Sequence, residues 1–186
     1  MTSEQEFLRR VLQFDEQALN QVYSEYSPGL YRYAARLLGC PDLAEDCVAE
    51  VFRRFLCILR NGGGPKEHLQ AYLYRVAHNW ITDRWRRDPP QSLPLLSNAF
   101  TNEDASVSQM IQDHADQEEV RAALRYLTPD QRQVIMLKFY EGWGNQEIAW
   151  AIDKPPGAIK ALQHRALESL RRTLLNGRED MHGSTQ

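Results

Sequence analysis

The chain has 186 residues, 42% of them apolar and 25% charged, with a formal net charge of −3; that is enough to build one or two small domains with proper cores. No apolar run approaches the roughly 20 residues that span a bilayer, and the opening MTSEQEFLRR lacks a signal-peptide apolar segment, so the expectation is a cytoplasmic chain with no membrane insertion. Cys40, Cys47 and Cys57 are odd in number and lack CxxC spacing, which favours buried free thiols over a disulfide framework or a zinc site and implies no metal or cofactor.

Phe14, Leu19, Val22 and Tyr23 recur at helical spacing and predict a helix over 14–26. Ser27 and Pro28, in cap and first-turn positions, predict a second helix that ends at Gly39. Pro41 and Asp42 open a third, with Asp42 as cap and Glu45 completing an acidic capping box. Its buried stripe reads Ala44, Val48, Phe52, Phe55 or Leu56, and Leu59. The run Asn61, Gly62, Gly63, Gly64, Pro65 cannot continue a helix and reads as a flexible loop.

Leu69, Tyr72, Leu73, Val76, Ala77 and Trp80 then predict the apolar face of a fourth helix that runs on through Trp85 to Arg87. This helix interleaves Tyr72, Tyr74, Trp80 and Trp85 with Arg75, His78, Arg84, Arg86 and Arg87. Guanidinium groups neutralise phosphates, and a ring face stacks an unpaired base for about 1–3 kcal/mol, so the combination suits strand-separated DNA. Each aromatic taken singly is also a candidate for the core, and Trp80 is assigned there.

From Gln91 to Val120 there is no Lys or Arg, but there are six acids: Glu103, Asp104, Asp113, Asp116, Glu118 and Glu119. In the remainder 22 cations face 19 acids, a formal +3, so two mildly basic blocks flank an acidic, extended or disordered connector. Periodicity resumes with Val120, Leu124 and Leu127. Thr128, Pro129 and Gln131 combine an N-cap, a first-turn proline and a capping-box partner, opening a helix that carries Val134, Leu137 and Tyr140.

Two short amphipathic helices follow. Ile148 and Ile152 share one face, with Ala149 beside them to admit a crossing helix. Asp153, Lys154, Pro155 and Pro156 stop the first helix. In the second, Ile159, Leu162, Ala166 and Leu170 face inward, while Lys160, Gln163, His164 and Glu168 face out and Arg171 and Arg172 suit its C-terminal end. This is the pattern of a DNA-reading helix-turn-helix, and also of a plain helical hairpin with a solvated basic face. Residues after Leu175 read as a frayed tail. With no strand alternation, the fold class is all-α: two small helical domains joined by an acidic flexible linker, the second containing the helix-turn-helix.

The order of these parts resembles the extracytoplasmic-function group of the sigma-70 family of RNA polymerase sigma factors. LYRYAARLLG, AEDCVAEVFRRF and AYLYRVAHNWITDRWRR are similar to successive segments of the family's promoter-melting domain. LTPDQRQVIMLKFYEGWGNQEIA and GAIKALQHRALESLRR are similar to its final pair of helices. The resemblance covers about three quarters of the chain, in the right order. It implies a melting and polymerase-binding domain at 10–90, a linker at 91–114, a second DNA-reading domain at 115–173 and a tail at 174–186.

Carried over by position, the resemblance implies that Asp46, Glu50, Val51, Arg53 and Arg54 face core RNA polymerase. Asn79, Asp83, Arg84, Arg86 and Arg87 meet the melting element of promoter DNA, and the loop Asn61 to Lys66 lies where the family captures a flipped base. Lys160, Ala161, His164 and Arg165 enter the major groove of the upstream duplex element, with first-turn amides of Pro156, Gly157 and Ala158 offered to phosphate. An anti-sigma protein is the usual inhibitor.

The chain departs from the pattern at Ala49, where Gln is common, at Gly144, where a Ser or Thr cap is usual, and at Ala161 and Leu162, which replace more polar groups. A stand-alone dimeric helix-turn-helix regulator with a helical sensor domain is the alternative, and it predicts operator binding without polymerase. An enzyme has no support, because no nucleophile stands with a base at recognisable spacing.

Overall fold

The computed structural model describes residues 3–87, 123–124 and 126–182, and every regular element among them is helical. The acidic connector falls outside the described residues. In chain order the helices are α1 (Ser3–Leu12), α2 (Glu16–Leu38), α3 (Pro41–Arg60), α4 (Leu69–Arg87), α5 (Pro129–Ile135), a π-helical turn (Met136–Tyr140), α6 (Asn145–Ile152) and α7 (Pro156–His182). They fall into two compact units, the first holding α1 to α4 together with Gln146–Lys154. In that first unit Arg75 donates to the Trp150 carbonyl and the His68 ring stacks on Trp150.

The first unit departs from the sequence reading at its start. Helix α1 was not expected, yet Leu8 and Val11, three residues apart, are buried. Phe14, read as the start of the next helix, instead takes the left-handed conformation at φ 63°. Asp15 then caps α2 by accepting from the Ala18 amide at 2.8 Å.

Pro28 does not restart the chain but sits inside one continuous 23-residue helix. Proline deletes one backbone hydrogen bond and crowds the preceding turn. Here it stands on the exposed side, while Val22, Leu30, Tyr33 and Ala34 hold both halves of α2 in the core. The helix ends where expected, with Gly39 at φ 68° donating its amide to the Ala35 carbonyl.

Helix α3 starts two residues earlier than the capping-box reading, because Pro41 takes the first helical position and Cys40 is the cap without a side-chain bond. Asp42 is left in the first turn, where its charge suits the helix dipole. Ala44, Cys47, Val48, Val51, Phe52, Phe55 and Leu59 form the buried stripe. Phe55 rather than Leu56 faces inward, packing at a centroid distance of 6.0 Å from Tyr72.

In α4 the buried face is Leu69, Leu73, Tyr74, Ala77, His78, Ile81 and Trp85. Trp80, assigned to the core from sequence, is only half-buried, and Trp85 takes that role. The shift follows from α4 packing on both α2 and α3, which centres its apolar face on Tyr74, Ala77, Ile81 and Trp85. Tyr74 also meets Tyr33 edge-on at 5.2 Å.

The three thiols do not share one fate. Cys47 is buried, which pushes its pKa up to about 12, Cys40 is half-buried and Cys57 is exposed. Among the described residues no cluster of His, Cys, Asp or Glu could hold a metal, and no helix is long and apolar enough to cross a membrane.

The second unit opens on the capping box that the sequence announced. Thr128 accepts from the Gln131 amide at 3.3 Å, and the Gln131 side chain accepts from the Thr128 amide at 3.0 Å. Arg132 is buried and donates to the carbonyls of Leu124 and Leu127, so the preceding turn is tied to α5, and burial lowers its pKa. The π-turn then inserts an extra residue into the helical count, with the Glu141 amide donating to the Met136 carbonyl. This shifts the register: Leu137 stays buried, whereas Tyr140, expected inside, is 50% exposed.

Gln133 is fully buried, and among the described residues neither its amide oxygen nor its nitrogen has a hydrogen-bond partner. An unsatisfied buried amide costs about 1–3 kcal/mol. Gln133→Leu is therefore expected to raise the stability of the chain by about 1 kcal/mol, read as a higher urea midpoint at unchanged slope. A lower midpoint would show that the amide is satisfied in solution.

Helix α7 continues to His182, further than the frayed tail expected after Leu175. Gly177, the weakest helix former there, costs about 1 kcal/mol, too little by itself to end a helix of 27 residues.

Candidate polymerase and nucleic-acid interfaces

The outer face of α3 carries the group expected to meet polymerase. Asp46 and Arg53 are exposed and Glu50 and Arg54 half-buried. Val51, expected on that surface, is fully buried, because it lies on the same stripe as Ala44, Cys47 and Phe55. Glu50 is the centre of an ion triad: its two oxygens accept from Arg53 at 2.6 and 2.8 Å, and one also accepts from Arg54 at 2.6 Å.

Hydrogen bonds from Arg53 and then Arg54 hold the Glu50 carboxyl down at about 2. Because the folded-state value is depressed, the stability it lends is complete above the unfolded value near 4.5 and is lost as pH falls towards 2. The Glu50 carboxyl carbon is expected to titrate well below pH 4 in the wild-type chain and to move up towards 4.5 in Arg53→Ala/Arg54→Ala. Identical NMR midpoints in the two proteins would count against the triad.

The loop after α3 is not the open, flexible segment its composition suggested. The Gly63 amide donates to the Ile58 carbonyl at 2.9 Å and that of Gly62 to Leu59 at 3.0 Å, folding the loop back on the helix end. Gly64 lies at φ +131°, where an added Cβ would stand 2.9 Å from the side chains of both Leu12 and Leu59, and Pro65 is buried. Asn61 and Lys66 are exposed at the two ends of this turn.

On α4, Asn79, Asp83, Arg86 and Arg87 are exposed and Arg84 and Trp80 half-buried. Trp80, Arg84 and Arg87 recur at i, i+4 and i+7 and so share one face. Arg86 lies 3.7 Å from the Asp83 carboxylate, and Arg87 Nε donates to the Asp83 carbonyl at 3.2 Å. Exposed pairs of this kind contribute little to stability. Tyr74 and Trp85, which the sequence offered as base platforms, are core, and His78 is buried with them.

Helix α6 ends as expected, through Asp153 in the left-handed conformation at φ 60° with the Lys154 amide donating to the Ala149 carbonyl. Pro155 supplies the carbonyl that accepts from Ala158 at 2.8 Å and Ile159 at 3.3 Å, and Pro156 is the first residue of α7. Of the three first-turn amides expected to be free, Pro156 has none and that of Ala158 is used, which leaves Gly157. Ile159 and Ala166 are buried, while Pro156, Gly157, Lys160, Ala161, His164 and Arg165 are exposed and Ala158 half-buried. Arg165 Nε donates to the Ala161 carbonyl at 3.2 Å.

The sequence reading did not single out the apolar surface of the second unit. Tyr126, Phe139, Tyr140 and Leu167 are all exposed. Only the π-turn's register shift brings Tyr140 there, and hydropathy alone does not signal that.

Residues 22–89 match the family Sigma-70 region 2, and residues 117–170 match Sigma-70, region 4. The RNA polymerase sigma-E factor of Streptomyces avermitilis is 31% identical over 88% of this chain and 86% of its own. The ECF RNA polymerase sigma factor SigX of Bacillus subtilis is 27% identical over 89% of this chain and 88% of its own. Among solved structures, CnrH in complex with the cytosolic domain of CnrY aligns with a TM-score of 0.68 at 18% identity, over 95% of this chain and 99% of that one. Sigma factor RpoE of Bartonella quintana, solved with the anti-sigma factor NepR, aligns with a TM-score of 0.59 at 22% identity, over 83% of this chain and 95% of that one. The chain belongs to the extracytoplasmic-function group of the sigma-70 family of RNA polymerase sigma factors.

Proposed function

We propose that this chain works in the cytoplasm as the specificity subunit of RNA polymerase, reading two promoter elements and opening one of them. It binds core RNA polymerase through the outer face of α3, with Asp46, Glu50, Arg53 and Arg54. It melts the downstream element with Asn79, Asp83, Arg84, Arg86 and Arg87 of α4, beside the turn Asn61 to Lys66. It reads the upstream duplex element with Lys160, Ala161, His164 and Arg165 of α7. The division into a melting domain at 10–90, a linker at 91–114 and a duplex-reading domain at 115–173 belongs to the same reading. The chain does no chemistry itself, and a dedicated anti-sigma protein holds it inactive, as the anti-sigma factor NepR accompanies sigma factor RpoE of Bartonella quintana.

The observation that carries this reading is the outward placement of two cationic faces, one on α4 with a half-exposed tryptophan and one on α7 at the start of a long helix. Cations with an aromatic suit single strands, and a helix with cations in its first turns suits a duplex groove. The test is run-off transcription with purified core polymerase on a library of genomic fragments, with and without the chain. Discrete new start sites sharing two upstream motifs are expected. Absence of such sites, together with duplex binding by the chain alone, would turn the assignment to a dimeric regulator.

A further inference from the structure

Resting on the reading of α7 as the duplex-reading helix, we infer that Ala161 makes upstream recognition depend on the 5-methyl group of one thymine. In the first three turns of α7 the exposed positions are Pro156, Gly157, Lys160, Ala161, His164 and Arg165. Ala161 stands in the middle of that face. Gly157 and Arg165 lie one turn before and after it, and Lys160 and His164 run alongside.

The side chain at this central place is a single methyl, with nothing to donate or accept. The apolar feature that a base pair presents in the major groove is the thymine methyl, so this is the group that Ala161 can distinguish by contact. The flanking groups help. Glycine at 157 and alanine at 161 keep side-chain bulk away from the groove floor, so that the helix can approach the base edges. Arg165 Nε is already used on the Ala161 carbonyl at 3.2 Å, which holds that guanidinium beside the same turn. Its terminal nitrogens remain as donors for a neighbouring guanine or phosphate. Lys160 and His164 then supply sequence-independent attraction, and the methyl contact supplies selectivity.

The test uses holoenzyme assembled from core polymerase and the full chain, on a promoter defined by run-off transcription. Each thymine of the upstream element is replaced in turn by deoxyuridine, which keeps every hydrogen-bonding group and lacks the methyl. One replacement is expected to weaken holoenzyme binding about fourfold, the effect of one buried methyl. The Ala161→Gly holoenzyme should be indifferent to that replacement, while both proteins respond alike to changes in the melting element. Tolerance of deoxyuridine at every position, or an undiminished loss in Ala161→Gly, would overturn the inference. The scan with the unaltered chain decides the first point even if the glycine variant folds poorly. If exchanging whole base pairs of the upstream element has no effect either, it is the assignment of α7 to that element that fails.

Discussion

Replacing Arg84 and Arg86 together by alanine is expected to cut run-off transcription about tenfold or more, while binding to core polymerase changes by less than about twofold. Both residues lie on the last turns of α4, and neither belongs to the α3 face with Asp46, Glu50, Arg53 and Arg54. Removing two cations from the proposed strand-tracking surface should also lower the salt dependence of promoter binding, by about 0.7 per lost phosphate contact on a single strand. Permanganate reactivity of the opened thymines should fall in parallel with transcription. Equal losses in polymerase binding and opening would mean that one surface serves both purposes.

Phe55→Ala should act in another way, through the fold. The ring is 1% exposed, lies against Tyr72, and stands on the helix that packs against both α2 and α4. Truncating a buried phenylalanine leaves a cavity and costs about 3–5 kcal/mol, a large part of a small domain's stability. Urea unfolding should show the loss as a lower midpoint. Polymerase binding and promoter opening should then fall together, because the α3 and α4 surfaces depend on one core. A shift under 1 kcal/mol would show that the site collapses around the missing ring. The arginine pair should be stable and inactive at one step, the phenylalanine variant unstable and inactive at every step.

Features written in local chemistry were legible in the sequence. The Thr128 capping box, the Gly39 stop, the buried Ile148, Ala149 and Ile152 and the proline-bounded turn before α7 depend on neighbours a few residues away. Features decided by packing were not. Pro28 looks like a break until both halves of α2 are held by the same core. Trp80 and Trp85 exchange roles because two neighbouring helices choose which side of α4 is covered, and Tyr140 leaves the core only through the π-turn. The candidate site divided in the same way. The charged positions on α3, α4 and α7 came from pattern and resemblance, whereas Val51 shows that a residue within a functional segment can face the other way.

On the proposed reading of Asn61 to Lys66 as the turn that captures a melted base, the Gly62–Gly64 stretch limits how this protein could be re-engineered to prefer a different one. A longer side chain at 63 collides with Ile58, and one at 64 collides with Leu12 and Leu59. At 62 there is open space, but the φ of +72° admits little besides glycine and asparagine. Redesign of base preference therefore has three usable handles, Asn61, Lys66 and Gly62→Asn, and a library randomised across the whole loop would spend most of its members on chains that cannot close the turn.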